Sequence, residues 1–205
     1  MSKPKYWDYG KEYLSKKDKI LRNLIKKYKG SLKTRKDPFF SLCKSIVGQQ
    51  ISVQAATSVW NKLEMKAKKI VPKNINKLST SQLSSCGLSR QKISYLKILS
   101  KKFINNELDI KKLKKMTDQE AIKYLVQVKG IGIWTAEMFL FFNQMRPDIF
   151  PLQDIGLLRA ISINYKTAYP PSPMQLKKFK NKWSPYCTVA TWYLWRSIDP
   201  EPVNY

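Results

Sequence analysis

The fold is decided by residues 117–154, which read TDQEAIKYLVQVKGIGIWTAEMFLFFNQMRPDIFPLQD. Thr117 is followed three residues later by a glutamate, a pattern typical of a capping box at the start of a helix. Gly130 and Gly132 then interrupt the apolar periodicity, and each allows a positive φ and a close approach of the backbone to an outside group. A second apolar segment follows, and Asp154 lies just beyond it. The stretch therefore predicts two helices joined by a tight glycine hairpin, followed by an acidic residue.

The glycine hairpin has two interpretations. It is either a tight turn and nothing more, or a binding site for an anion. A helix that begins at Gly132 directs unpaired backbone N–H groups and the positive end of its dipole at one point. Because the chain is strongly basic, the expected anion is a nucleic-acid phosphate.

The charge balance of the chain supports a polyanionic partner. Among 205 residues, 39 are lysine or arginine and 14 are aspartate or glutamate, which gives a formal net charge of +25. Duplex nucleic acid fits this charge best, although solubility and a lysine-rich genome are an alternative explanation. The chain has no histidine, which excludes imidazole bases and most zinc sites. Catalysis would have to rest on carboxylates, lysines, hydroxyls, cysteines or backbone groups.

The cysteines and the termini indicate an ordinary intracellular protein. Cys43, Cys86 and Cys187 are far apart in the sequence, as expected of buried packing thiols in a reducing compartment. An iron–sulfur cluster held only by cysteines requires four of them, so none is expected. Residues 1–10 contain no apolar run that would act as a signal, and no apolar stretch is long enough to span a bilayer. We therefore expect a soluble protein of the cytoplasm or nucleoid with no membrane partner.

The rest of the chain predicts an all-α fold with short connections, because no segment shows strand alternation. Residues 1–15 are expected to pack as an arm. The lysine-rich segment 66–77 is expected to be a surface loop, and 133–142 the second hairpin helix. Helix starts are predicted from polar caps and N-terminal prolines at Asp18, Asp37, Ser52, Ser79, Ser89, Asp109, Ser172 and Ser184.

Four segments together resemble the helix-hairpin-helix (HhH-GPD) DNA glycosylases. They are VKGIGIWTA at 128–136, FPLQD at 150–154, GQQIS at 48–52, and the tryptophan-rich segment 183–196. The last is similar to the C-terminal segment of the 3-methyladenine (AlkA-like) branch of that family. The hairpin alone is weakly specific, but the four segments together are strongly specific. The resemblance extends over nearly all of residues 37–196.

The resemblance implies two helical lobes that flank a cleft. One lobe would be a helical barrel at 38–145 that includes the hairpin at 118–143. The other would be a C-terminal lobe at 146–205, which carries the acidic residue. An N-terminal segment, 1–37, would pack with the C-terminal lobe.

Asp154 matches the catalytic aspartate of that family. From the residues alone the favoured interpretation is an N-cap, because Asp154 precedes an apolar helical run. The two functions are compatible, since a capping carboxylate in the positive end of a helix dipole stays ionised. Cleavage of the bond between base and deoxyribose passes through an oxocarbenium-like state, which an anionic carboxylate facing a groove would stabilise.

Four aromatic residues are predicted for the base pocket: Trp134, Trp192, Tyr193 and Trp195. In lyase-type members of the family a lysine occupies the position of Trp134 and forms a Schiff base, so the resemblance implies base excision without strand cleavage. An indole ring attracts a cation, and an alkylated purine carries positive charge. The alternative for each ring is core packing, and one helix cannot direct all three C-terminal rings at one cleft.

The hairpin residues Lys129, Gly130, Ile131 and Gly132 are predicted to hold a DNA phosphate through backbone amides, which positions the duplex without reading its sequence. The resemblance also implies that hairpin carbonyls could hold a sodium or potassium ion, assigned here to Lys129, Gly130 and Gly132. No other cofactor is expected.

Further DNA-binding candidates are Gln50, Leu88, Ser89 and Arg90. An everted nucleotide leaves a gap in the duplex, and an inserted side chain offsets part of the lost stacking. Gln50 matches a glutamine that fills this gap in relatives, and the other three lie where the wedge is expected. The alternative is that all four are loop residues at helix ends.

The resemblance thus implies a monofunctional DNA glycosylase of base excision repair that removes alkylated purines, chiefly 3-methyladenine, from duplex DNA as a monomer. Two alternatives remain open at this point. One is a glycosylase for uracil or mismatched thymine, and the other is a DNA-binding protein that has the hairpin but no catalytic activity.

Overall fold

The computed structural model describes residues 3–33 and 37–199, which form helices and connecting turns without any strand. The predicted all-α class is therefore confirmed. The helices are α1 Trp7–Lys17, α2 Lys19–Lys27, α3 Pro38–Gly48, α4 Val53–Ala67, α5 Pro72–Lys77, α6 Thr80–Ser84, α7 Arg90–Ile104, a 3-10 helix Ile110–Lys115, α8 Asp118–Val126, α9 Ile133–Phe142, α10 Ile155–Tyr165, α11 Pro173–Trp183 and α12 Cys187–Ile198.

The described residues divide into two compact units. The first unit contains the residues up to 33 together with those from Leu140 onward, and so includes α1, α2 and α10 to α12. The second unit contains residues 37 to 139, and so includes α3 to α8. The division lies inside α9, after Phe139, whereas the sequence-based boundary lies at 145.

Side-chain caps set the starts of most helices, as the sequence predicts. Ser79, Thr117 and Ser172 each form a complete capping box. Five further predicted starts are also capped: Asp18, Asp37, Ser52, Ser89 and Asp109 each accept a hydrogen bond from a backbone N–H in the first turn of the next helix.

The N-terminal arm packs as expected, with Trp7, Gly10 and Leu14 of α1 buried. Two expectations about the elements are wrong. The segment 66–77 is not a loop, because α4 continues to Ala67 and α5 begins with Pro72 at its first position and buries Ile75. Ser184 ends α11 rather than starting the last helix, which begins at Cys187.

The first unit has an aromatic core around Trp7, which is 1% exposed. The ring of Trp192 meets that of Trp7 edge-on at 5.4 Å, and Tyr193 lies 6.1 Å from it. A second cluster stacks Phe179 on Trp183 at 4.9 Å. Large rings of this kind bury much apolar area at low entropic cost, so this small unit depends on them.

A buried carboxylate joins the N-terminal helices of the first unit to α11. Asp18 is 2% exposed and caps α2 through the N–H groups of Ile20 and Leu21. Its second oxygen accepts a hydrogen bond from Trp183 Nε1 at 3.0 Å and forms an ion pair with Lys182 Nζ at 2.9 Å. Burial opposes ionisation, but these hydrogen bonds outweigh it and lower the pKa of Asp18.

The second unit packs α3, α4 and α7 around aliphatic and aromatic side chains. Leu42, Ile46 and Leu96 are fully buried, and Phe39 meets Phe103 edge-on at 5.2 Å. The free thiols Cys43 and Cys86 are buried here and Cys187 is buried in the first unit, as expected. Among the described residues, no helix has the length and apolar character needed to cross a membrane.

Replacing Asp18 with asparagine is expected to destabilise the protein by roughly 3 kcal/mol, because Lys182 and Trp183 lose a buried anionic partner. Because the pKa of Asp18 is lowered in the folded state, this stabilisation is fully present at pH values above the ordinary pKa of aspartate. It is lost as the pH falls through the pKa of the folded state. Urea unfolding of both proteins should therefore give a constant difference near neutral pH and a shrinking one below about pH 4.

The matched control is Asp8→Asn, which removes an exposed carboxylate paired with Lys3 and Lys11 on the surface. Exposed pairs contribute little to stability, so this variant should unfold as the wild type does. An Asp18→Asn difference that does not depend on pH would contradict the assignment.

Candidate functional site

The glycine hairpin connects α8 to α9 within the second unit. Its turn is closed by hydrogen bonds from Val128 N to Leu125 O at 3.1 Å and from Ile131 N to Val128 O at 2.9 Å. Ile131 is 3% exposed and anchors the turn, while Lys129 is exposed. Helix α9 covers 133–142 as predicted, and its first intrahelical bond runs to the carbonyl of Gly132.

Gly130 and Gly132 of the hairpin differ in backbone conformation and in the space around them. Gly130 has φ +96°, and a Cβ built there would lie 2.3 Å from Cγ of Tyr95 on α7. Both the backbone and the neighbour therefore exclude any side chain at this position. Gly132 does not have a positive φ, which corrects that part of the prediction. Among the described residues other than its chain neighbours, no atom lies within 4 Å of its Cβ position. The space beside Gly132 is thus open to an outside group.

A glutamine that the sequence reasoning missed holds the hairpin in place. Gln49 Nε2 donates to the carbonyl of Gly130 at 2.9 Å and to Thr135 Oγ1 at 3.0 Å. The predicted residue, Gln50, is exposed beside it with φ +56°. The local sequence does not show which of the two adjacent glutamines points into the protein, because the hydrogen-bond partners of Gln49 lie more than 80 residues away in the sequence.

Lys92 on α7 holds Gln49 in turn. Its Nζ donates to the carbonyls of Val47 and Gln49 at 2.7 and 2.8 Å. Burial lowers the pKa of this lysine. The sequence reasoning did not single out Lys92, because it is one of many lysines in a basic chain.

The predicted wedge loop lies immediately before α7. Ser89 caps that helix through the N–H of Lys92, and Arg90 is exposed. Leu88 is 4% exposed. Its burial does not support its assignment as a DNA-binding residue, whereas Arg90 and Gln50 remain candidates.

Asp154 lies in the first unit as the N-cap of α10. Its Oδ1 accepts hydrogen bonds from Leu157 N at 2.7 Å and from Trp195 Nε1 at 2.9 Å. The residue is only 6% exposed, so the carboxylate is not the open group that the sequence reasoning expected. Gly156 allows this close packing, because a Cβ there would lie 3.1 Å from Asp154 Oδ1.

The three aromatic residues of α12, which are Trp192, Tyr193 and Trp195, are all buried in the first unit. Trp195 is 3% exposed and lies parallel to Phe142 with ring centres 6.0 Å apart. Its contact with Asp154 places it at the candidate site. Trp192 and Tyr193 instead pack on Trp7 in the core, and this packing does not support their assignment to a base pocket. Trp134 lies in the first turn of α9, in the second unit, and is partly exposed.

The monovalent-cation site predicted at the carbonyls of Lys129, Gly130 and Gly132 stays a prediction. The Gly130 carbonyl accepts a hydrogen bond from Gln49, and the Gly132 carbonyl accepts one from Ala136 N. Each carbonyl oxygen has two lone pairs, so these bonds do not prevent it from binding a cation. No group of three acidic, histidine or cysteine residues within 3–33 and 37–199 could hold a metal ion.

A matched pair of substitutions tests the hairpin geometry. Gly130→Ala should destabilise the protein by about 2 kcal/mol, since alanine disfavours the positive φ and collides with Tyr95. Gly132→Ala should leave the free energy of unfolding unchanged within about 0.5 kcal/mol. Urea unfolding measures both, and equal losses at the two positions would contradict this geometry.

Comparison with known proteins gives one family and several relatives. The family model described as "HhH-GPD superfamily base excision DNA repair protein" matches residues 43–185. The chain is 28% identical over 167 residues to DNA-3-methyladenine glycosylase 1 of Schizosaccharomyces pombe, covering 80% of this chain and 73% of that protein.

Solved structures with the same fold include two enzymes of this kind. Schizosaccharomyces pombe 3-methyladenine DNA glycosylase in complex with abasic DNA matches with a TM-score of 0.82 at 26% identity, over 92% of this chain and 96% of that chain. The DNA-3-methyladenine glycosidase from Bacillus halodurans matches with a TM-score of 0.78 at 30% identity, over 92% and 88% of the two chains.

Proposed function

We propose that this chain, which belongs to the HhH-GPD superfamily of base excision DNA repair proteins, is a DNA glycosylase that hydrolyses the bond between deoxyribose and alkylated purines such as 3-methyladenine. The observation that carries this proposal is the match of nearly the whole chain to a 3-methyladenine DNA glycosylase bound to abasic DNA. The substrate would be duplex DNA containing a damaged base, and the protein would act as a monomer.

Asp154 is the proposed catalytic residue. Loss of the base leaves positive charge on the deoxyribose ring, and an ionised carboxylate beside the ring stabilises that charge and orients the attacking water. The hydrogen bonds from Leu157 N and Trp195 Nε1 hold the carboxylate in place.

The absence of histidine fits a substrate that needs no protonation. An alkylated purine carries positive charge and is a good leaving group, so its departure does not require a general acid. The remaining requirement is electrostatic stabilisation of the sugar, which one carboxylate supplies. This argument favours alkylated purines over uracil or thymine, whose departure leaves an anion.

The helix-hairpin-helix segment is the proposed binding site for the DNA backbone. Helix α9 begins at Ile133, next to the open space beside Gly132, where a phosphate would be stabilised by the N–H groups of the first turn and by the helix dipole. The net charge of +25 adds long-range attraction. The hairpin would therefore position the duplex without reading its sequence.

Replacing Asp154 with asparagine tests the catalytic assignment. Asparagine caps helices as well as aspartate does, so the fold and DNA affinity should persist. Base release should fall by roughly 100-fold or more, because the stabilising charge is lost. Single-turnover release of 3-methyladenine from methylated duplex DNA measures the rate, and gel-shift titration measures the affinity.

Asp37→Asn is the matched control, because Asp37 caps α3 in the same way and accepts from Phe40 N at 2.7 Å. It should excise bases at the wild-type rate. An Asp154→Asn variant as active as the wild type would reduce Asp154 to a cap and favour a hairpin protein without catalytic function.

A panel of duplexes with single lesions tests the substrate class and the absence of strand cleavage together. We expect release of alkylated purines, little release of uracil or mismatched thymine, and an intact strand that breaks only on alkali treatment. The last outcome follows from Trp134, which provides no amine where lyase-type relatives have a lysine. Strand nicking without alkali, or faster release of uracil, would contradict the proposal.

A further inference from the structure

The DNA-binding hairpin of the second unit is held by two side chains that act in series. We propose that Lys92 and Gln49 are positioning residues: Lys92 fixes the backbone of Gln49, and the Gln49 amide fixes the hairpin for its grip on phosphate. This inference rests on the proposed function in one respect, because it takes the hairpin as the part that contacts DNA.

The first link is the end of α3. The last carbonyls of a helix lack intrahelical partners, and a cation near them is stabilised by the helix dipole. Lys92 Nζ donates to two such carbonyls, those of Val47 and Gln49, at 2.7 and 2.8 Å. Directly afterwards Gln50 takes φ +56°. The ammonium group therefore fixes the backbone that carries the Gln49 side chain.

The second link is the Gln49 amide itself. Its Nε2 donates to Gly130 O in the turn and to Thr135 Oγ1 in the first turns of α9. Thr135 is 2% exposed, so this anchor is rigid. One amide thus sets the position of the turn relative to the start of the helix whose N–H groups bind the phosphate. A grip made of several backbone groups depends on such preorganisation.

Helix α7 supports the same turn at a second point. Tyr95 lies three residues after Lys92, on the same side of the helix, and its ring packs on Gly130. The Tyr95 hydroxyl accepts a hydrogen bond from Gln91 Nε2 at 2.5 Å. The hairpin is therefore held by one face of α7 both directly and through Gln49.

Lys97 provides a control on the same helix. Its Nζ donates to the carbonyls of Asn76, at 2.6 Å, and Leu78, at the end of α5. Burial lowers its pKa, as it does that of Lys92. Lys97→Met therefore removes the same charge and the same number of backbone hydrogen bonds as Lys92→Met, but it does not affect the hairpin.

The experiment measures the affinity of Lys92→Met, Gln49→Ala, their double variant and Lys97→Met for a duplex that carries an abasic-site analogue. Lys92→Met and Gln49→Ala should each bind the duplex about tenfold more weakly than the wild type. Since the two residues act in series, the double variant should lose no more affinity than the single variant that loses more. Lys97→Met should stay within about twofold of the wild type.

The salt dependence separates positioning from direct contact. If Lys92 itself contacted a phosphate, the plot of log K against log salt concentration would become shallower by about 0.9 in Lys92→Met. We expect an unchanged slope. A reduced slope, wild-type affinity in Lys92→Met, or an equal loss in Lys97→Met would overturn the inference.

Hydrogen exchange of the backbone amides at 128–133 gives a measurement that does not depend on DNA. Exchange should be faster in Lys92→Met and Gln49→Ala and unchanged in Lys97→Met. If Lys92→Met does not fold, Gln49→Ala tests the second link by itself. Failure of the wild type to release bases contradicts the proposed function, whereas unchanged exchange and affinity contradict this inference alone.

Discussion

One carboxylate oxygen connects the start of α10 to the middle of α12. Oδ1 of Asp154 accepts from the backbone of Leu157 and from the indole of Trp195. These bonds hold the carboxylate at the N-terminus of α10, where the helix dipole is positive, and a Cβ at position 156 would lie 3.1 Å from Oδ1. The same interaction caps a helix, orders the buried rings beside it and fixes the position of a carboxylate. The proposed chemistry depends on that last property.

The second unit shows the corresponding constraint on backbone. Its hairpin requires glycine at 130 because the φ is positive and a tyrosine ring occupies the place of a side chain. At position 132, no neighbour among the described residues would collide with a side chain, and the open space there suits an outside group. A chain with no histidine and a large positive charge combines these features in a way that fits electrostatic catalysis on a polyanion better than acid–base catalysis.

Local chemistry made much of the fold predictable. Capping residues and prolines act within a few residues, so the starts of α2, α3, α7 and α8 follow from Asp18, Asp37, Ser89 and Thr117. Helix α5 was missed because its lysines hide one buried residue, Ile75. Contacts between distant residues were not predictable in the same way. Nothing local distinguishes Gln49 from Gln50, and the indole bond to Asp154 joins positions 41 residues apart.

The structure also distinguishes aromatic residues that the sequence alone does not distinguish. Trp192 and Trp195 lie in one helix and look alike in the sequence, yet one packs on Trp7 and the other donates to Asp154. Helical periodicity gives relative direction along a helix, but it does not say which face meets the core and which meets a site. The family resemblance supplied the position of Asp154, and the structure supplied its partners.

The most direct test of the central claim is a crystal structure of the protein on duplex DNA with an abasic-site analogue. The account predicts an oxygen of Asp154 at about 3–4 Å from the anomeric carbon of the everted sugar, with a phosphate on the amides at the start of α9. A carboxylate still enclosed against Leu157 and Trp195, with no nucleotide near it, would contradict the account.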